Sequence, residues 1–235
     1  MTFVASGLLA EVKNVSHGFG TFDQSVPNIF DDLWDARKPS WKQVHGTALA
    51  EVVKENQVCG EVDGLVTPTS NIPIGIFTAD CVPILLARRD GSIVAAIHSG
   101  WRGTRAMILR KFWSEMSARG EEPRNWVAAI GPAIEPCCYE VSEEMAKDFE
   151  QHFAYLENTN LKNKTGKSLA VPEFRRLDLQ RIQQEELRQI GFYEVDLIRM
   201  CTRCNTSPRF ASYRRSQKIP EESGRQQLSG IMIKK

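Results

Sequence analysis

No segment of this chain is apolar for long enough to cross a bilayer, and residues 1–16 carry neither a basic leader nor an unbroken apolar core. A cytoplasmic location is therefore expected. An excess of charge is missing too: thirty basic residues face twenty-nine acidic ones, a formal charge of +1, so no overall field draws the chain to nucleic acid or anionic lipid. Neither is an expected partner, and any anion site must be local. Repeats and low-complexity tracts are absent, and glycine and proline are scattered as turn punctuation instead of gathering into a linker. One domain over residues 1–235 follows as the expectation, with a monomer as the expected state. Histidine is scarce. Four imidazoles are too few for a machinery that spreads several coppers over many of them. The six cysteines come without an export signal, which points to a reducing compartment and to thiols that ligate or pack, not to disulfides.

What is present is ordinary globular usage: 42% hydrophobic against 25% charged residues is enough apolar matter to bury a core. Residues 74–88, 92–98, 126–130 and 194–200 are apolar or alternating runs bounded by turn signals and read as strands. Ile108, Leu109, Phe112, Trp113 and Met116 recur at helical spacing before Gly120, which predicts a helix over 104–119. Ser142 followed by Glu143 and Glu144 marks a helix start, and Leu179, Ile182, Leu187 and Ile190 mark an amphipathic helix between Asp178 and Gly191. Strands and helices mix without strict alternation, which indicates an α+β fold with mixed β-sheets. The polar segment 157–168 reads as a surface loop.

Three residues stand out as ligands. His98 ends an apolar strand and enters Ser99-Gly-Trp-Arg-Gly103, where two glycines allow close backbone approach and Arg102 offers a planar fork suited to phosphate. The following helix is expected to add free N–H groups for an anion. Taken alone, the glycines could merely shape a turn and Arg102 could be solvated. Cys81 lies in Thr78-Ala-Asp-Cys-Val-Pro83, where Asp80 and Cys81 interrupt an apolar run; a buried acid beside a thiol asks for a compensating cation, although an inert core cysteine is the plainer explanation. His45, in Gln43-Val-His-Gly46, means little by itself. Two imidazoles and one thiolate together make a three-ligand zinc set with an open fourth position, which copper would also accept. Cys201-Thr-Arg-Cys204 and the adjacent Cys137 and Cys138 raise a rival structural zinc or a redox dithiol. Adjacent cysteines are a poor metal knuckle, so packed thiols are the expectation there.

These residues resemble the laccase-domain family of bacterial proteins, described historically as polyphenol oxidases and also as purine nucleoside phosphorylases with adenosine deaminase activity. The resemblance runs through His17-Gly-Phe, Gln43-Val-His-Gly, Asp63-Gly, Thr78-Ala-Asp-Cys-Val-Pro, His98-Ser-Gly-Trp-Arg-Gly, Gly131-Pro, Tyr139-Glu-Val, Cys201-Thr-x-Cys204 and Ser212-Tyr-Arg-Arg215. It implies a four-layer α/β/β/α sandwich, zinc on His45, Cys81 and His98, and a terminal motif in which Gly224-Arg225 follows Ser212-Tyr-Arg-Arg215; Gln43, which could hold His45 or a substrate, Arg102, Arg214 and Arg225 are the expected substrate contacts. The family's usual Thr-Arg-x-Gly-Gly after His17-Gly-Phe is Thr21-Phe-Asp-Gln-Ser25 here, so the resemblance does not extend to an N-terminal arginine contact.

The implied activity joins purine nucleoside and phosphate. Phosphate held by Arg102 displaces the base from adenosine, inosine or methylthioadenosine, with Asp80 protonating or orienting, and metal-activated water deaminates adenosine in the same pocket. A copper-dependent polyphenol oxidase, an amidase editing peptidoglycan precursors and a non-enzymatic zinc-stabilised regulator are the competing readings. Metal content and the products formed from adenosine or inosine separate them.

Overall fold

The computed structural model describes residues 3–30, 32–157, 170–171 and 176–235. Of the surface loop expected over 157–168, only Glu157, the last residue of a short helix, belongs to the described residues. The strand alternation separates the apolar residues into distinct cores. In the strand Val82–Arg88, Ile84 and Leu86 point to one side and Leu85 and Ala87 to the other. Ala95 and Ile97 part from Val94 and Ala96 in the same way, as Ala128 and Ile130 part from Val127 and Ala129. A period of two with both sides apolar is the mark of a sheet buried on both faces.

That sheet has six strands in the order Val195–Leu197, Trp126–Ile130, Val82–Arg88, Val94–Ser99, Gly64–Thr67 and Leu49–Glu51, with parallel pairs at the two ends and antiparallel pairs in the middle. One face packs on the helices Ile108–Ala118, Glu143–His152 and Leu179–Ile190 through Phe112, Met116, Phe149, Ile182 and Leu187. The other packs on a three-stranded antiparallel sheet of Val15–Phe19, Gln227–Ile233 and Ile74–Thr78, with Ile74, Ile76, Ile231 and Ile233 facing inward. On the outer side of this smaller sheet, Leu228 and Met232 meet Phe30 and Trp34, the latter on the helix Leu33–Arg37. Helices, sheet, sheet and helix therefore form four layers, and the fold is α+β with mixed sheets.

Two sequence expectations change. The run 74–88 is two strands, not one: Ile74–Thr78 belongs to the small sheet and Val82–Arg88 to the large one, and the chain crosses between them at 79–81, where Asp80 takes a positive φ of 94°. The helix expected over 104–119 begins earlier and is broken. Trp101–Arg105 forms a first short helix, Met107 turns left-handed at φ 60°, and Ile108–Ala118 follows. The break lets the first helix continue directly from the strand Val94–Ser99 while the second aligns its apolar stripe with the sheet. The other helix predictions stand: Ser142 caps Glu143–His152 by accepting from the Met145 N–H, and Asp178 caps Leu179–Ile190 by accepting from the Arg181 N–H, with Gly191 left-handed at the end. Among the described residues no helix is long and apolar enough to cross a membrane.

Candidate metal centre and cleft

The crossing at 79–81 places Cys81 beside the turn that follows His98. Val82 pairs with Ser99 in the antiparallel ladder, so Cys81 comes opposite Gly100. There is no room for a side chain at Gly100: an added Cβ would lie 2.9 Å from Cys81 Sγ and 3.0 Å from His45 Cδ2. Glycine is needed here for close approach, not for turning. His45 arrives from a separate loop in left-handed conformation at φ 61°. Its ring stands edge to face against that of His98, with 4.8 Å between centroids. The ligand atoms of His45, Cys81 and His98 all lie within 4.8 Å of one another.

One carboxylate organises the trio. Asp63 is fully buried, and its Oδ1 lies 2.7 Å from His98 Nδ1. The same group accepts the backbone N–H of His45 at 2.9 Å, of Gly46 at 2.7 Å and of Val44 at 3.2 Å. Burial alone would raise the Asp63 pKa; the His98 hydrogen bond and the Gly46 and Val44 N–H groups outweigh it and hold the carboxyl below the usual range. With Nδ1 engaged, His98 presents Nε2 to the shared centre, the arrangement by which an outer carboxylate fixes the tautomer of a metal-ligating imidazole. Asp63 is the functional residue that sequence reasoning left out of the site.

The donors suit a metal. Burial, followed by the charges of Asp80 and Asp63, pushes the Cys81 thiol up to about 12, and a metal cation shared with the two imidazoles is what would offset these effects and hold it as a thiolate. Burial and then the neighbouring His98 hold the His45 imidazole below its ordinary pKa, which keeps it neutral for ligation. All three residues line a cleft of about 880 Å³, leaving a side of the centre open to it. The other two imidazoles are employed elsewhere: His17 Nε2 accepts the Ser6 N–H, and His152 lies beside Arg105.

The remaining predicted residues meet at the same cleft in unequal roles. Gln43 lines it, but its amide is bound to the Phe77 backbone in both directions, at 2.8 and 2.7 Å, so it ties the His45 loop to the strand Ile74–Thr78. Asp80 is buried, accepting from Thr202 Oγ1 at 2.6 Å on one oxygen and from the Arg214 N–H at 2.7 Å on the other. It is an organiser of the cleft wall more than a free acid. Arg214 donates to the Glu140 carbonyl at 3.1 Å and lies over Tyr139. Arg102 is exposed inside the first turn of its helix, not ahead of it, and rests on the Trp101 ring at 4.3 Å. Arg225 rests on Phe22 at 4.3 Å. Neither has an ion-pair partner among the described residues. Lys38, Arg102, Arg214 and Arg225 line the cleft against Asp80 as the sole lining carboxylate among the described residues, which makes the opening cationic.

Relatives agree with this architecture. A purine nucleoside phosphorylase of Clostridium acetobutylicum is 32% identical over 178 residues, 75% of this chain and 70% of its own length. One from Rickettsia prowazekii is 30% identical over 228 residues, 97% of this chain and 85% of its own length. An adenosine deaminase, RL5, from an unknown prokaryote is 34% identical over 156 residues, 65% of this chain and 57% of its own. Among solved structures, YlmD from Geobacillus stearothermophilus superposes with a TM-score of 0.75 at 22% identity, covering 100% of this chain and 99% of that one, which establishes the shared fold. With residues 31–234 matching its family-wide pattern, the chain belongs to the family described as multi-copper polyphenol oxidoreductase laccase.

Proposed function

We propose that this protein is a zinc-dependent, cytoplasmic purine nucleoside enzyme. It cleaves adenosine, inosine or methylthioadenosine with phosphate to free base and ribose 1-phosphate or its methylthio analogue, and deaminates adenosine in the same cleft. The observation that carries the reading is the convergence of His45, Cys81 and His98 in a cationic cleft whose volume of about 880 Å³ suits a nucleoside with phosphate. The relatives named for these activities support it.

When bound, zinc supplies Lewis acidity, the property that makes water nucleophilic near neutral pH. The protein's own groups account for the rest. Arg102, held over Trp101 and without an ion-pair partner among the described residues, pairs with phosphate through charge-assisted hydrogen bonds. Its helix spans only Trp101–Arg105, so the guanidinium contributes more than the helix dipole does. Arg225 and the remaining guanidinium donors of Arg214 add to the anion field. A phosphate oxygen forms its bond to the anomeric carbon as the bond to the base nitrogen breaks, and the base leaves with that electron pair and takes a proton. Asp80, through Thr202 and Arg214, fixes the wall on which this happens. Burial, then the nearby Cys81, pushes the Tyr139 phenol up to about 12, so it keeps its proton and offers a donor to the substrate. Trp101 and Tyr213 provide partly exposed aromatic surface for the purine.

The test is product analysis on zinc-loaded protein. Inosine with phosphate is expected to yield hypoxanthine and ribose 1-phosphate, with no cleavage when phosphate is omitted. Adenosine without phosphate is expected to yield inosine and ammonia. Failure of both reactions overturns the reading. Polyphenol oxidation is disfavoured because His17 and His152 lie away from the trio, and no methionine lines the cleft among the described residues to complete a mononuclear copper site.

A further inference from the structure

A second group of metal-ligand type lies outside the cleft. The sulfur atoms of Cys137, Cys138, Cys201 and Cys204 all fall within 4.8 Å of one another, with 3.7 Å between those of Cys137 and Cys204. None is in a disulfide. Four thiolates at about 2.3 Å from a central zinc stand about 3.8 Å apart, so the widest separation needs to close by about 1 Å at most.

The backbone makes the convergence possible. In an extended chain Cys137 and Cys138 would point to opposite faces, but here the N–H groups of Cys138 and Tyr139 both reach the Glu135 carbonyl, at 2.8 and 2.9 Å, and the tight turn gathers both sulfurs. Cys201 to Cys204 forms another closed turn, with the Asn205 N–H on the Cys201 carbonyl at 2.9 Å. The two turns are already joined: Cys201 bridges Ala133, and the Thr202 N–H donates to the Ala133 carbonyl at 3.0 Å. These backbone hydrogen bonds fix both turns, so the four sulfurs are held close together by the fold itself.

We propose that Cys137, Cys138, Cys201 and Cys204 bind a second zinc ion through four thiolates. With all four positions filled by protein the site is closed, and its role is structural. It staples the 135–139 turn to the 201–204 turn, and both reach the cleft. Thr202, inside the second turn, donates to Asp80, and Tyr139 follows Cys138 directly. Arg215 donates to the Thr202 and Arg203 carbonyls at 2.9 and 2.8 Å, tying the same turn to the helix Tyr213–Ser216.

The experiment uses Cys81→Ala protein, which keeps all four of these cysteines and lacks the thiolate of the cleft. Loaded with cobalt(II), it is expected to bind the metal and to show the intense visible bands and sulfur-to-metal charge transfer of tetrahedral thiolate coordination. Adding Cys201→Ser and Cys204→Ser should abolish those bands, and in otherwise unmutated protein the same pair should remove one zinc per chain. Absence of the thiolate bands in Cys81→Ala overturns the proposal, as does recovery of these cysteines as disulfides or on an iron–sulfur cluster. The readout is independent of catalysis, so a failed nucleoside assay leaves it unaffected.

Discussion

Asp63 Oδ1 and His98 Nδ1 are 2.7 Å apart in the buried interior, and the same carboxylate gathers the N–H groups of Val44, His45 and Gly46. A single side chain thus orients one imidazole and shapes the loop that carries the other. His45 sits on a loop in left-handed conformation, and the Asp63 carboxylate on its N–H is what holds that loop in place.

Asp63→Asn tests this directly. The amide keeps the size but replaces an acceptor with a donor facing N–H groups, and loss of such an outer partner weakens metal binding by about 10- to 100-fold. Competition with a chelator of known affinity measures it. Unchanged zinc affinity would remove Asp63 from the account.

Gly100→Ala is expected to disturb the centre selectively. Its methyl group would come within 2.9 Å of Cys81 Sγ and 3.0 Å of His45 Cδ2, while the rest of the turn is untouched. Metal affinity should fall at least tenfold with circular dichroism unchanged. A variant binding zinc as tightly as its parent would show that the ligands do not converge as described.

The stability of the fold should decline in acid partly through His17. Burial, opposed more weakly by the backbone of Ser6 and by Asp196, lowers its pKa from 6.5 to about 4. Between these values the unfolded chain binds a proton that the folded chain refuses, so stability is lost as pH falls from 6.5 towards 4, by about 3 kcal/mol for this residue. His17→Gln, which can still accept from Ser6, should flatten that part of the profile in urea unfolding measured from pH 7 to 4.5. Parallel profiles for parent and variant would contradict the assignment.

Arg102→Ala should separate the two activities. Losing one charge-assisted phosphate contact should lower phosphorolysis of inosine by roughly 10- to 100-fold. Adenosine deamination needs no phosphate and should suffer much less. Equal losses in both, at constant zinc content, would refute a phosphate-specific role.

The core elements were legible because the residues that build them are periodic: Leu85 and Leu86 in a doubly buried strand, Phe112 and Met116 along a helix face. The break at Met107 was not legible, since no glycine or proline marks it; it serves a tertiary need, to turn the chain from strand to packed helix. Asp63-Gly stood in the sequence only as part of the resemblance, without a role, because it is the pairing of Gly64 with Ile97 that brings Asp63 to His98. Gln43 was recognised as part of the site, but its amide engages the Phe77 backbone, a partner that lies far along the chain. The convergence of the four cysteines was not legible for a similar reason: whether adjacent cysteines diverge or converge depends on the turn that carries them.

The most direct measurement compares zinc content and nucleoside turnover in Cys81→Ala and its parent. Removal of one of three protein ligands should lower the zinc content by one ion per chain and abolish both phosphorolysis and deamination, with the fold retained. A Cys81→Ala protein that keeps the parent's full zinc content and activity would contradict a catalytic metal centre at His45, Cys81 and His98.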